Sequence, residues 1–145
     1  METLRVGAPA QPLKEVGFGA IHWRVSSTEE ALVQGQPDST MALHWHGDRI
    51  RLPAQATLLA SSLHCAEQVF RIGQHGIGLQ CHLEITGSSL ERWITADHAY
   101  VVGALGNEGG DQLRNDWTVL GSSLQRHGKQ FFTTVLNQME SITDG

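Results

Sequence analysis

A histidine and a carboxylate stand two residues apart within residues 76–84, at His82 and Glu84. The segment opens on glycines and continues as a short apolar run, which is typical of a strand bounded by turn residues. Because strand side chains alternate, we expect His82 and Glu84 on one face and Cys81 on the other. A carboxylate beside an imidazole fixes the ring tautomer and stabilises its protonated form. The pair therefore indicates a general base, and such a base needs a nucleophile.

The two cysteines of the chain are the first candidates for that nucleophile. Cys81 is adjacent to His82 but points to the other face of the expected strand, so it cannot share a proton with that ring. Cys65 follows His64 in a loop, and a thiol beside a histidine can have a lowered pKa. A loop cysteine without oxyanion donors is more often unreactive, so we predict that neither thiol is the nucleophile. Two cysteines also make no disulfide framework, which favours a reducing compartment.

His44 and His46 form a second pair at the same spacing, on another expected strand. Together with His64 or His82 they would complete three imidazoles, which suffice for zinc. No carboxylate or cysteine spacing supports that set. We therefore predict no metal and no cofactor, and a metal-binding protein is the weakest of the functions considered.

Composition excludes several classes of function for this chain of 145 residues. A hydrophobic content of 40% and a charged content of 17% are typical of one globular domain. The net charge of −5 argues against nucleic-acid binding, which requires basic patches. No apolar run approaches the length of a membrane span, and the first residues lack a signal pattern. We expect a cytoplasmic protein that binds neither nucleic acid nor membrane.

Strands come first and helices last along the chain. We expect one domain with an N-terminal loop over residues 1–12, a sheet carrying the histidine–glutamate site over residues 13–86, and a helical tail over residues 87–145. Residues 67–82 are predicted to form a hairpin closed by a turn at residues 73–76. This order predicts an α/β fold with a β-sheet and C-terminal helices.

Within the helical tail, Thr86 is predicted to cap a helix that runs to about Thr95. A longer helical pattern starts at Asp111, and Gly128 is predicted to break or kink it. From Ser141 onward we expect a frayed end.

Several motifs, taken in order, resemble the C-terminal part of class I glutamine amidotransferase domains, especially the branch similar to GMP synthase. The resemblance covers roughly residues 13–93. It implies an α/β (flavodoxin-like) fold with a mixed β-sheet, and hydrolysis of glutamine by a Cys-His-Glu triad. The motifs are His44-Trp45-His46-Gly47-Asp48, Leu52-Pro53, and residues 58–62, 68–73 and 78–84.

The resemblance assigns roles to four residues: His82 and Glu84 become catalytic, and His46 and Asp48 line the substrate cleft. The family usually has His-Pro-Glu, and Leu83 stands here in place of the proline. The family's nucleophile lies on a Gly-x-Cys-x-Gly elbow, and this sequence contains no such segment. The oxyanion donors belong to the same elbow, and with the nucleophile they contribute most to amide hydrolysis.

The sequence therefore predicts a glutamine amidotransferase-like protein that lacks the nucleophilic cysteine and is inactive alone. The alternative is a non-catalytic module that keeps the cleft to bind a small ligand or a protein. The expected partners are glutamine or a related small amide, a complementing chain or synthase subunit, and a second copy of this chain. Absence of the family's central parallel strands would leave an open edge, which predicts self-association.

Overall fold

The computed structural model describes residues 6–7 and 14–143 of the chain. Five strands form the main sheet, namely β2 (Glu15–Trp23), β3 (Ser39–His46), β5 (Ala56–Ser61), β6 (Val69–Ile72) and β7 (Gly76–Leu79). Their order is β3-β2-β5-β6-β7, and each pair is antiparallel. Two short strands, β1 (Val6–Gly7) and β4 (Arg49–Ile50), pair with each other.

Three helices follow the sheet: α1 (Gly87–Ala96), α2 (His98–Leu105) and α3 (Gly109–Thr143). A single 3-10 turn (Ala31–Val33) lies between β2 and β3. The predicted α/β class, with a sheet and C-terminal helices, is confirmed, but the sheet that was expected to be mixed is antiparallel throughout the described residues. Among the described helices, none combines the length and apolarity needed to cross a membrane.

The core consists of two apolar clusters that both draw on α3. Strand alternation separates them, since neighbouring residues such as Ala42 and Leu43 belong to different clusters. The first cluster contains Ile21, Leu32, Ala42, Leu59, Ala60, Val69, Cys81, Leu83, Phe131 and Val135. The second contains Leu43, Ile85, Leu90, Ile94, Val101, Leu113 and Leu124.

The structure corrects four local predictions. Val6 and Gly7 form β1, although residues 1–12 were predicted as loop; residues 1–5 and 8–13 lie outside the described part. β7 ends at Leu79, so the site residues follow the strand rather than lie in it. α3 continues unbroken through Gly128, and it runs to Thr143 instead of fraying from Ser141.

The uninterrupted course of α3 at Gly128 has a packing reason. A Cβ on this residue would lie 2.0 Å from the backbone oxygen of Leu83. Gly128 is therefore the point at which the helix backbone touches the segment that carries the site, and its lack of a side chain permits that approach. Sequence spacing alone cannot distinguish such a glycine from a helix breaker.

Candidate functional site

The segment after β7 carries the predicted histidine–glutamate pair at the surface of the second cluster. The backbone of His82 pairs with Leu43 of β3 through N–H···O contacts of 2.8 and 3.1 Å. Leu83 and Ile85 are buried, each 2% exposed, so Glu84 between them is directed outward. The backbone pairing with β3 and the two buried side chains thus position this segment, which is neither helix nor strand.

His82 and Glu84 are in direct contact, with Nδ1 of the ring 2.8 Å from Oε1 of the carboxylate. The predicted placement of both side chains on one face is confirmed. Burial alone would raise the pKa of Glu84, but the hydrogen bond from His82 outweighs it and holds that pKa below its usual range. The carboxylate is therefore charged and holds the proton of the ring on Nδ1, which leaves Nε2 as the nitrogen that can accept a proton.

Trp93 of α1 fixes the ring from one side. Its ring centroid lies 4.8 Å from that of His82 at an interplanar angle of 79°, an edge-to-face contact. Trp93 in turn contacts Trp45 of β3, at 5.6 Å between centroids. The imidazole is 27% exposed, so it is packed on one side and accessible on the other.

Neither cysteine has the environment of an activated thiol. Cys65 and Cys81 are each 2% exposed. Burial raises the pKa of both, to about 12 for Cys81. The prediction that Cys81 cannot serve His82 agrees with its hydrogen bond, which is directed to the backbone oxygen of Gln68.

His46 and Asp48, predicted to line the cleft, belong to a different group of contacts. Nε2 of His46 lies 2.8 Å from Oε2 of Glu15, and Nδ1 lies 3.0 Å from the backbone oxygen of Asp48. The amide nitrogen of Gln80 lies 2.9 Å from the same Nδ1 and also donates to the Asp48 oxygen. Asp48 thus contributes to this group through its backbone.

Glu15 is the centre of this second group. Its carboxylate accepts hydrogen bonds from Ser62 at 3.2 Å and from Gln68 at 3.3 Å, in addition to the contact with His46. Burial by itself would raise the pKa of Glu15, but the hydrogen bond to His46 and the nearby histidines lower it overall. Glu15 is therefore a charged group on a largely covered strand.

His44 completes the group and is 2% exposed. Its Nε2 lies 3.0 Å from the backbone oxygen of Gly19, and its Nδ1 lies 3.6 Å from Oε1 of Glu15. Burial lowers the pKa of His44 more than Glu15 raises it. The ring is therefore neutral near pH 7.

The structure thus gathers the predicted site residues into two groups instead of one. His82 pairs with Leu43, and residues paired across strands point to the same face, whereas His44 and His46 alternate to the other face. His82 and Glu84 form the first group, and His44 and His46 belong to the second with Glu15.

Glu15 was missed because nothing in the sequence marks it. It precedes the histidine pair by about thirty positions, and only the antiparallel register, which places Glu15 opposite His46, brings it into contact. A correct prediction of the β2–β3 pairing would have been the signal. The tryptophans contact the core: Trp45, Trp93 and Trp117 pack on the second cluster, and Trp23 packs on the first.

Comparisons with known proteins support the resemblance drawn from the motifs. No protein-family profile matches the chain. The glutamine amidotransferase-like protein YfeJ of Salmonella typhimurium is 32% identical over 90 residues, which are 62% of this chain and 38% of that protein. The chain therefore spans well under half the length of this curated relative.

Solved structures extend the likeness to nearly the whole chain. A glutamine amidotransferase of Thermotoga maritima has a TM-score of 0.76 at 23% identity, over 92% of this chain and 55% of its own. A glutamine amidotransferase of Methylobacillus flagellatus has a TM-score of 0.74 at 21% identity, with the same coverage. A protein described as a GMP synthase subunit, from Thermoplasma acidophilum, has a TM-score of 0.61 at 19% identity, over 98% of this chain and 51% of its own.

These identities show the fold, and this chain corresponds to about half of each solved chain. Together with the sequence relative, they confirm that the chain resembles glutamine amidotransferase domains over most of its length.

Proposed function

We propose that this chain supplies the imidazole–carboxylate part of a glutamine amidotransferase site, with His82 as the general base and Glu84 as the group that orients it. One observation carries the proposal: the 2.8 Å contact between Nδ1 of His82 and Glu84, in a chain that resembles such domains. Both residues stand where the motifs of the family place its histidine and glutamate.

The geometry fits the proton transfers of amide hydrolysis. Nε2 of His82 takes the proton of a thiol, and the resulting thiolate attacks the side-chain amide carbon of glutamine. His82 returns the proton to the departing nitrogen, which leaves as ammonia. The ring then removes a proton from water, which attacks the thioester and releases glutamate, and the ring returns that proton to the departing thiolate. Glu84 stabilises the imidazolium in each step.

In this proposal the thiol and the oxyanion donors come from a polypeptide segment outside this sequence. Cys65 and Cys81 are buried with raised pKa values, so within the described residues neither presents a thiolate. The missing segment can lie on a longer chain or on a separate one. The likeness to a GMP synthase subunit supports a synthase as the protein that uses the ammonia.

Complementation tests the proposal. The 145-residue chain should release no ammonia from glutamine by itself. Addition of the Gly-x-Cys-x-Gly half of a related amidotransferase, as a separate polypeptide or a fusion, should restore release. His82→Gln should then lower kcat by about 10²–10⁴-fold, because the general base is removed. Ammonia is measured with a coupled dehydrogenase assay.

Two controls make the result specific. His75→Gln removes another imidazole of similar size from the exposed hairpin turn and should leave the restored rate unchanged. Glu84→Gln should reduce the rate but keep glutamine binding, because the carboxylate acts through the ring. Ammonia release by the pure chain, or full activity of the His82→Gln complex, would contradict the assignment.

A second candidate function is a binding or regulatory module without turnover. The burial of both thiols favours it, since the described residues hold an orienting pair without a nucleophile. Calorimetry with glutamine separates the two functions. Binding that persists without restored hydrolysis in the complemented protein supports the module.

A further inference from the structure

We infer that Glu15, His44 and His46 form a binding site for a divalent transition-metal ion of the zinc type, separate from the His82–Glu84 pair. One potential ligand atom from each residue lies within 4.8 Å of the others. Two imidazoles and one carboxylate are a common protein ligand set for zinc, with a fourth position left to water. The ligands come from neighbouring strands, Glu15 from β2 and both histidines from β3.

The hydrogen bonds of His44 are the first argument. Its Nε2 lies 3.0 Å from the backbone oxygen of Gly19, and because a carbonyl oxygen only accepts, the ring proton is on Nε2. Nδ1 is then a bare lone pair, and among the described residues it is buried without a hydrogen-bond partner. It faces Oε1 of Glu15 at 3.6 Å, beyond hydrogen-bond length. A buried lone pair opposite a carboxylate oxygen is unfavourable unless a cation lies between them.

The surroundings of both rings are the second argument. Metal-bound histidines usually donate their other N–H to a backbone oxygen or carboxylate, which fixes ring orientation. Gly19 takes that role for His44 at 3.0 Å, and the Asp48 oxygen takes it for His46 at 3.0 Å. The Glu15 carboxylate is oriented by the hydrogen bonds that it accepts from Ser62 and Gln68. Each of the three side chains is therefore already oriented by a further polar group.

Distances and space also fit an ion. Ligand atoms around tetrahedral zinc lie about 3.3 Å apart, given bonds of about 2.0–2.1 Å. The contacts of the two Glu15 oxygens, 2.8 Å from Oε2 to Nε2 of His46 and 3.6 Å from Oε1 to Nδ1 of His44, lie on either side of that value. The Glu15 and His44 side chains also line an open cleft of about 400 Å³, which gives an ion and its water a route from solvent.

Without an ion, His46 has an alternative arrangement. Its ring can donate from Nε2 to Glu15 and accept at Nδ1 from the Gln80 amide. Metal binding requires this proton to move to Nδ1, where the Asp48 oxygen accepts it, and the Gln80 amide then turns away. Within residues 6–7 and 14–143, no comparable arrangement satisfies Nδ1 of His44, so His44 is the ligand with the strongest requirement for the ion.

Zinc binding to the tag-free, full-length chain tests the inference. After chelator treatment, titration with Zn²⁺ followed by calorimetry and elemental analysis should give one tightly bound ion per chain. Co²⁺ in place of zinc should give the intense visible absorption of a four-coordinate site. His44→Gln, His46→Gln and Glu15→Gln should each weaken binding at least a hundredfold, since even groups outside the ligand set change metal affinity 10–100-fold.

Matched controls locate the site. His64 lies at the rim of the same cleft but outside the cluster, and His64→Gln should keep full affinity. His82→Gln should also keep it, which separates this site from the amidotransferase proposal. Ring ¹⁵N shifts of the unsubstituted protein give a measurement that does not depend on variant folding: Nδ1 of His44 should shift on zinc addition. No stoichiometric binding, or binding lost in His64→Gln or His82→Gln but kept in His44→Gln, would overturn the inference.

Discussion

Arg71 joins three elements through its guanidinium group. Nε and Nη2 donate to the two carboxylate oxygens of Glu30 at 2.7 and 2.8 Å, and Nη2 also reaches Oε1 of Gln138 on α3 at 2.9 Å. The side chains of Arg71 and Glu30 are only 17% and 10% exposed. Burial alone would raise the pKa of Glu30, but the hydrogen bonds from Arg71 outweigh it and hold that pKa below its usual range. Arg71 is therefore the main group that stabilises the charged form of Glu30.

Removal of the Arg71 guanidinium group should destabilise the folded protein. Arg71→Met should lower the free energy of unfolding by about 2–3 kcal/mol at pH 7, because a covered carboxylate loses its cation. Arg114→Met is the matched control, since Arg114 pairs with Glu91 at the exposed surface and should have a much smaller effect. Urea denaturation measures both, and equal losses would contradict the assignment.

The Glu30–Arg71 pair makes the free energy of unfolding decrease at low pH. The folded pKa of Glu30 is lowered, so its stabilising contribution is complete above the unfolded value of about 4.3 and is lost as the pH falls through the folded value. The difference in unfolding free energy between the native chain and Arg71→Met should therefore be largest near pH 7 and shrink below about pH 4.

Residue spacing predicted some contacts and missed others for a physical reason. His82 and Glu84 are two residues apart, and any extended backbone places them on one side, so their contact followed from sequence. Glu15 reaches His44 and His46 only through the β2–β3 register. The sequence also suggested His64 or His82 as a third imidazole, whereas the structure places a carboxylate there.

At the scale of elements, the contact between α3 and the site segment depends on Gly128. The succession of strands before helices along the chain followed from period and turn residues, but the predicted break at Gly128 was wrong. Helix propensity disfavours glycine, and the sequence does not reveal the Leu83 backbone that occupies the space of a side chain.

Replacement of Gly128 by alanine should destabilise the protein, although alanine has a higher helix propensity than glycine. Gly128→Ala should destabilise the protein by about 2 kcal/mol or more, because the added methyl group would lie 2.0 Å from the Leu83 oxygen. Gly103→Ala in α2 is the control, since the nearest atom there is the mobile Nζ of Lys14 at 3.4 Å. That change should stabilise by about 0.5–1 kcal/mol. Thermal unfolding measures both, and a stabilising Gly128→Ala would exclude the close contact.

At the scale of the whole molecule, the interior strand β2 is paired along only part of one of its two sides. β2 pairs with β3 over Glu15 to His22, but with β5 only at His22 and Trp23. Within the described residues, the first part of β2 thus has no strand on its second edge. Leu63 beside this gap is 85% exposed, and Leu136 on α3 is 60% exposed. Unpaired strand groups and exposed apolar side chains both favour association.

Self-association should therefore depend on concentration. Size-exclusion chromatography with light scattering should show a dimer or larger species at micromolar concentrations, and addition of the Gly-x-Cys-x-Gly half of a related amidotransferase should reduce this self-association. Leu63→Lys should weaken self-association, because it places a charge beside the open edge. Thr133→Lys, at an exposed position on α3, is the control. A stable monomer at all concentrations would rule out this expectation.

Helix α3 is long for a chain of this size. With 35 residues and a rise of about 1.5 Å each, it extends about 52 Å, whereas a compact chain of this size is roughly 38 Å across. The helix is therefore longer than the expected diameter of a compact chain of this size. At Gly128, which has no side chain, its backbone approaches Leu83 in the loop of His82 and Glu84. Because α3 packs on both core clusters and its backbone approaches Leu83 at Gly128, a displacement of this helix would also displace the loop that carries His82 and Glu84.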